Sequence, residues 1–388
     1  MRIGLVSVHD ARDARMWSGI PFQVLNHLLK LGVEVEVFSP LQAKSKYLLA
    51  PWKAMAKMQR TSLSLDHFLL VQADYAHQLR KRMRERPVDV VVSLSTIPVA
   101  RLKCDVPIVT WTDAVFHAMH RYYGGAFSNQ SAAALARARR QEQAALENGT
   151  FAAYASHWAC AGARELVREE KLRVIPFGAS LPITHTEADI VRSAKQKSAQ
   201  RPRRCELLFV GFDWKRKGGE VAVEVAQQLN DAGLPTRLRV VGYSPEHAYP
   251  GFVCFEGAVD KSSEAGVARL AALYRDADFF LLPTRSEAAG IVFCEASAFG
   301  VPSLSYDTGG VSDYVRNGVN GACLPSSAAA GDFAALIRTW FEDPAAYEAL
   351  SVGAFREYES RLNWTASVRA LIALCQEAQT LSSNKPAA

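Results

Sequence analysis

Two glutamates, Glu287 and Glu295, stand with seven residues between them in the run TRSEAAGIVFCEASAFG. The apolar run 279–282, FFLL, is short and stops at Pro283, the pattern of a buried parallel strand. A polar loop, 284–289, carries Glu287. Gly290 then opens a segment with Val292, Phe293 and Ala296 at helical spacing. This helix carries Glu295 before Gly300, Val301 and Pro302 end it. In an open α/β sheet such a loop lies at the carboxyl ends of the strands, where ligands bind. The first amides of the helix lack internal partners and favour an anion such as phosphate. Carboxylates on either side of a phosphate would repel it. Their own partners are therefore expected to be neutral and rich in hydroxyls, a sugar on one side and a ribose on the other.

A complementary charge stands earlier in the chain. The segment GFDWKRKGG, 211–219, follows the apolar run 207–210 and leads into a helix whose face is Val221, Val225 and Leu229. Glycines flank Lys215, Arg216 and Lys217 at the start of that helix. Cations together with the first helix amides suit a diphosphate. The triplet Asp276-Ala277-Asp278 invites a metal-nucleotide reading. It stands at a helix-to-strand junction, ahead of FFLL, so no metal site is expected there.

The E-x7-E spacing, with Gly290 inside it and EASAFGVPSLSYDTGG and VSDYVRNGVNG after it, resembles the matching element of retaining GT-B glycosyltransferases, above all the family-4 group. The resemblance implies that Glu287 contacts hydroxyls of a donor sugar and that Glu295 binds ribose hydroxyls. It implies that the amides of Ala289, Gly290 and Ile291 face the donor phosphate and sugar. Lys217 matches the family's phosphate-binding lysine. Phe212 stands where the family has an arginine, and Arg216 could supply that second charge. The loop EGAVDKS, 256–262, resembles the turn that cradles the nucleobase through backbone groups, which leaves the base unread.

The first half carries weaker likenesses. WSG, 17–19, is similar to the family's first glycine loop, which would put Gly19 near the donor phosphates and the acceptor. In TWTDAVFH, 110–117, Thr112 takes the place of the family's histidine and Asp113 is kept. Asp113 is expected to face the reacting centre as an acceptor-side partner or base, with an N-cap of the next helix as the alternative. His117 is expected to pack rather than act. The family's chemistry implies a UDP- or GDP-linked donor, no metal and no other cofactor. Its departing phosphate helps to deprotonate the acceptor, and Lys217 with the helix amides stabilises the phosphate charge.

The elements that must position these residues follow from the rest of the chain. At 388 residues it is too long for one ordinary core and suits two domains. The resemblance implies an α/β fold of GT-B type: two Rossmann-like, doubly wound domains facing across a cleft, with a C-terminal helix returning to the first. The expected boundaries are an acceptor domain over 1–183, a linker over 184–204, a donor domain over 205–355 and the returning helix over 356–388. Strands are expected at 3–8, 33–38, 88–93, 107–111, 151–156, 207–210, 237–242 and 252–255. Ser18 is a candidate cap for the first helix, with Pro21 tolerated in its first turn. No G-x-G-x-x-G follows the first strand, which argues against a dinucleotide dehydrogenase.

Charge is uneven. Residues 1–204 carry 30 Lys+Arg against 17 Asp+Glu, and the remainder 15 against 22, so the halves stand at +13 and −7. The first half is therefore expected to meet something anionic, with a solvated basic surface as the alternative. The segment KSKYLLAPWKAMAKMQR, 44–60, mixes five cations with apolar residues and could touch anionic lipid, although Pro51 argues against one continuous helix. No apolar run reaches the length of a membrane span, and MRIGLVSV enters a strand without a signal-peptide pattern. Seven scattered cysteines without C-x-x-C suggest reduced thiols in a cytoplasm. The expected partners are a nucleotide sugar and a glycan, lipid-linked or small-molecule acceptor, and no nucleic acid. A nucleotide-sugar epimerase of the same fold and a non-catalytic binder remain as alternative readings.

Overall fold

The computed structural model describes residues 1–58, 60–124, 129–200 and 203–383. The chain divides into two compact units, Met1–Ile175 with the segment from Ser367 onward, and Pro176–Ala366.

The first unit holds a parallel sheet of six strands: β1 (Arg2–Val6), β2 (Glu34–Phe38), β3 (Val90–Ser93), β4 (Ile108–Thr112), β5 (Phe151–Tyr154) and β6 (Leu172–Val174), in the order β2-β1-β3-β4-β5-β6. The central strands β3 and β4 are buried at every residue, as parallel strands covered on both faces must be. β2, EVEVF, lies at the edge, where its alternating acids can reach water.

The second unit repeats the architecture with β7 (Cys205–Val210), β8 (Thr236–Val241), β9 (Val253–Gly257), β10 (Phe279–Leu281), β11 (Ser303–Tyr306) and β12 (Gly321–Leu324), in the order β12-β11-β10-β7-β8-β9. The chain runs outward from β7 to β9, then returns to the other side of β7 with β10. The strand order therefore reverses between β7 and β10, the position at which open α/β sheets bind ligands. No helix among the described residues is long and apolar enough to cross a membrane.

Several expectations need correction. The stretch 184–204, read as a linker without periodicity, contains the helix Glu187–Ala199, started by a Thr186–Asp189 capping box and anchored by Ile190 and Ala194. Two apolar anchors four residues apart give too weak a period to detect. This helix belongs to the second unit, which begins at Pro176 rather than 205. The return to the first unit comes at Ser367, within the helix Trp364–Ser383, rather than at 356. Residues 201–202 of the expected linker and 384–388 of the expected terminal helix lie outside the described residues. One expectation here holds: no continuous α-helix covers 44–60, because a 3-10 helix, Lys44–Leu49, gives way to a separate α-helix, at whose start Pro51 stands. Pro51 sits second in the helix Ala50–Met58, where a missing amide costs nothing. Ser18 does not cap the first helix: it is itself left-handed, and Gly19 takes the cap position ahead of Ile20–Lys30.

Candidate active site

In the second unit, two loops leave the carboxyl ends of neighbouring strands. The loop after β7 runs through Gly211 to Gly218 and enters the helix Gly219–Asp231. Gly218 is left-handed, with φ +77°, and a Cβ there would stand 2.0 Å from the Pro283 carbonyl oxygen, so only glycine fits. This close approach lets the second loop, after β10, lie against the first. The Arg285 amide donates to the Arg216 carbonyl at 2.8 Å, and the Arg216 guanidinium donates to the Ser286 carbonyl at 2.7 Å. Asp213 accepts from the Arg216 Nε at 3.0 Å. Arg216 thus fastens the two loops together. Beside it the Lys217 ammonium is in direct contact with the Glu287 carboxylate. Glu287 is held from behind as well, its carbonyl accepting from the Gly310 amide at 2.8 Å.

The helix Ile291–Ala298 starts at Gly290 with no side-chain cap; the Phe293 amide turns back to the Gly290 carbonyl at 2.9 Å, and the amides of Ile291 and Val292 ahead of it precede the helical ladder. Ala289, Gly290 and Ile291 lie at this start, directly after Glu287. Glu295, in the second turn, is fully buried. A buried carboxylate needs partners. Lys261 supplies them from the loop after β9, with Nζ at 2.7 and 2.9 Å from the two oxygens, and the Tyr274 hydroxyl donates at 3.2 Å. Burial, and then the charge of Glu295, push the Tyr274 phenol well above its usual range, so it stays a donor. Asp278 of the D-x-D triplet is buried in an ion pair with Arg203, at 2.5 and 2.7 Å, and takes the Glu206 amide at 2.9 Å. Its role is structural.

In the first unit, the loops after β1 and β4 also meet. Trp17, Ser18 and Gly19 are consecutively left-handed, with φ of 45°, 56° and 79°. Two of the three are not glycine, a strained arrangement of the kind that collects at functional sites. The turn directs the Trp17 indole N–H to the Asp113 carboxylate. Asp113 also accepts from the Thr112 hydroxyl at 3.2 Å and the Ala114 amide at 2.9 Å. Burial raises its carboxyl above the usual carboxylate range against these donors. Asp113 does not cap the following helix, Phe116–Tyr123. The Phe116 amide is taken instead by Glu142 at 2.7 Å. His117 packs between Glu142 and Glu165, at 3.8 and 3.6 Å.

Residues 191–356 match the family model described as Glycosyl transferases group 1. The matched stretch contains Lys217, Glu287 and Glu295, whereas Gly19 and Asp113 lie outside it. The D-inositol 3-phosphate glycosyltransferase 1 of Catenulispora acidiphila is 30% identical over 190 residues, which is 44% of this chain and 44% of that protein. The chain thus spans about half or less of the length of the curated relatives it matches. Sucrose-phosphate synthase from Thermosynechococcus elongatus is 19% identical with a TM-score of 0.72, covering 98% of this chain and all of that one. The Anabaena protein HepE, solved with UDP and glucose, is 16% identical with a TM-score of 0.58, covering 98% and 99%. These structural likenesses establish the fold, α/β with two Rossmann-like units of the GT-B type.

Lys261, Tyr274 and Trp17 were not legible as site residues. Within the group 1 match, Lys261 lies in a loop after a strand, which is a signal of position only. Tyr274 sits in the last turn of the helix Glu264–Asp276 and gives no signal. Trp17 is next to a glycine of interest, but its pairing with Asp113 joins residues almost a hundred positions apart. Chemically, this portion offers two ammonium–carboxylate pairs, Lys217 with Glu287 and Lys261 with Glu295, the first ahead of an uncapped helix start and the second within that helix.

Proposed function

We propose that this chain transfers a sugar from a nucleotide-diphosphate donor to a hydroxyl acceptor, with retention of anomeric configuration and without a metal. The observation that carries this reading is the contact of Lys217 with Glu287 beside the uncapped start of Ile291–Ala298, at the reversal of a parallel sheet. A diphosphate is the anion suited to one ammonium plus helix amides. The group 1 match over 191–356 and the UDP held by the similar HepE support a nucleotide-sugar donor. Glu287 is assigned to hydroxyls of the transferred sugar and Glu295 to those of the ribose. Lys217 and the amides of Ala289, Gly290 and Ile291 stabilise the departing diphosphate, with Arg216 holding the loops that present them. Asp113 is assigned to the acceptor side as hydrogen-bond partner or base, with Gly19 allowing close backbone approach. The acceptor is a glycan, a lipid-linked sugar or a small polyol. Seven cysteines, all unpaired in the structure, suit a reducing cytoplasm.

Thermal melting with UDP, GDP and ADP tests the donor half, because a ligand bound only by the folded state raises the melting temperature. One nucleoside diphosphate is expected to do so, and none doing so would refute a nucleotide donor. Slow release of free nucleotide from the cognate donor, without acceptor, then separates a transferase from a binder.

A further inference from the structure

The second unit has a cavity at the end of its sheet opposite the loops that carry Lys217 and Glu287. It measures about 520 Å³, within the usual size of a small-molecule site. Glu206 and Arg237, the second residues of β7 and β8, stand in register and both line it. Asp276, which ends the helix Glu264–Asp276 ahead of β10, lines it too. The length of β7 from Glu206 to Gly211, rising about 3.3 Å per residue, keeps this end about 16 Å from the first loop of the donor site.

The charges of the cavity do not balance. Lys197, Arg203, Arg204, Arg237 and Arg275 face two acids, Glu206 and Asp276. The fold uses two of the cations. The Lys197 ammonium donates to the Ala277 carbonyl at 2.6 Å, and Arg203 binds the buried Asp278 and the Lys197 carbonyl. The other three keep donors to offer. Glu206 is shared, with one oxygen 2.9 Å from the Arg204 Nε and the other 2.7 Å from the Arg237 Nε. The Nη nitrogens of both arginines make no hydrogen bond among the described residues. Asp276 pairs with Arg239 at 3.5 Å, which leaves the adjacent Arg275 without an ion pair among the described residues.

A cation in the last turn of a helix, as Arg275 is, has an ordinary explanation in the helix dipole. Arg204 and Arg237 stand just before one strand and within another, where no helix end accounts for them. Guanidinium forks match phosphate oxygens in geometry as well as in charge, and three of them converge on one concave space. We propose that this cavity binds a phosphate group, as the free ion or on a small phosphorylated molecule, through Arg204, Arg237 and Arg275. The site lies apart from the donor loops, so its failure would leave the glycosyl-transfer reading untouched.

Calorimetric titration of the full chain tests it, with inorganic phosphate and glycerol 3-phosphate as probes and glycerol as the neutral control. Both phosphates should bind, glycerol should not, and added sodium chloride should weaken the binding. Tighter binding of glycerol 3-phosphate than of inorganic phosphate would mark a phosphorylated molecule as the ligand, and equal affinity would mark the free ion. Arg275→Gln and Arg237→Gln should each raise the dissociation constant about tenfold or more, the loss of one charge-assisted hydrogen bond. Arg275 is exposed and unpaired, so Arg275→Gln should melt with the parent in phosphate-free buffer, which separates lost binding from lost folding. Phosphate binding should persist in Lys217→Ala. No heat from either phosphate at millimolar concentration, or affinities unchanged in both arginine variants, would overturn the proposal. Loss of binding in Lys217→Ala would overturn it as well, because the phosphate would then belong to the donor site. So would binding of heparin with neither small phosphate, because the face would then be an open basic surface.

Discussion

Lys217 and Glu287 touch, although 70 positions separate them in the chain. β7 and β10 are neighbours in the sheet, and the loops that follow them share their backbone hydrogen bonds. With about a tenth of each side chain exposed, water screens the pair poorly. On the proposed reading the carboxylate holds the ammonium in place until a diphosphate competes for it. Lys217→Ala should lower kcat/KM about a hundredfold or more, on the order of 3 kcal/mol of transition-state stabilisation. Steady-state kinetics on the folded variant checks this, and near-normal turnover would remove Lys217 from the site.

The two glutamates should divide binding from chemistry. Ribose hydroxyls do not change between ground and transition state, so Glu295→Gln should raise donor KM and weaken free nucleoside diphosphate. The transferred sugar gains positive charge as its bond breaks, so Glu287→Gln should act mainly on kcat. Calorimetry with the free nucleotide distinguishes them. Equal weakening by both substitutions would refute the division.

Lys261→Met should destabilise the protein, because Glu295 would stay buried without its ammonium, beside the Tyr274 hydroxyl at 3.2 Å. Loss of one partner from a fully buried pair costs about 3–5 kcal/mol, and the partial exposure of Lys261 reduces this to about 1–3 kcal/mol. Urea unfolding measures it. Glu295→Gln in the same background should recover part of the loss, since the uncompensated charge is gone.

Asp113 should govern an acidic limb of the kcat/KM profile. Burial raises its carboxyl, so the limb should lie above about 3.9, the ordinary aspartate value, and vanish in Asp113→Asn. The stability sign follows from the same shift. A folded-state pKa above the unfolded one gives a contribution that is full below the unfolded value and lost as pH rises through the folded value. Asp113→Asn should therefore melt higher than the parent at neutral pH, with the gap closing toward acid pH. A parallel pair of melting curves across pH would contradict it.

Turnover should persist in EDTA. Asp278 is committed to Arg203 inside the fold, and on the proposed reading Lys217 with the helix start would provide the positive charge for the leaving group. Loss of activity in chelator, restored by magnesium or manganese, would show that a metal does this instead.

The sequence by itself determined the parts that depend on local order. FFLL ahead of Pro283, Gly290 ahead of Val292 and Phe293, and the glycine-flanked cations of 211–219 each specify a strand, turn or helix start from neighbours a few residues away. These local patterns placed Lys217 and Glu287 in loops at strand ends and Glu295 in the helix that follows. What the tertiary structure decided is who meets whom. The reversal between β7 and β10 puts Lys217 on Glu287, and the loop after β9 brings Lys261 onto Glu295. The left-handed run at Trp17 and Ser18 delivers an indole to Asp113 and takes Asp113 out of its possible capping role. The helix Glu187–Ala199 forms where no period was visible, because its few apolar residues gain their stability from the unit they pack on. Pairing between distant residues is set by sheet order and packing, which a local pattern does not encode.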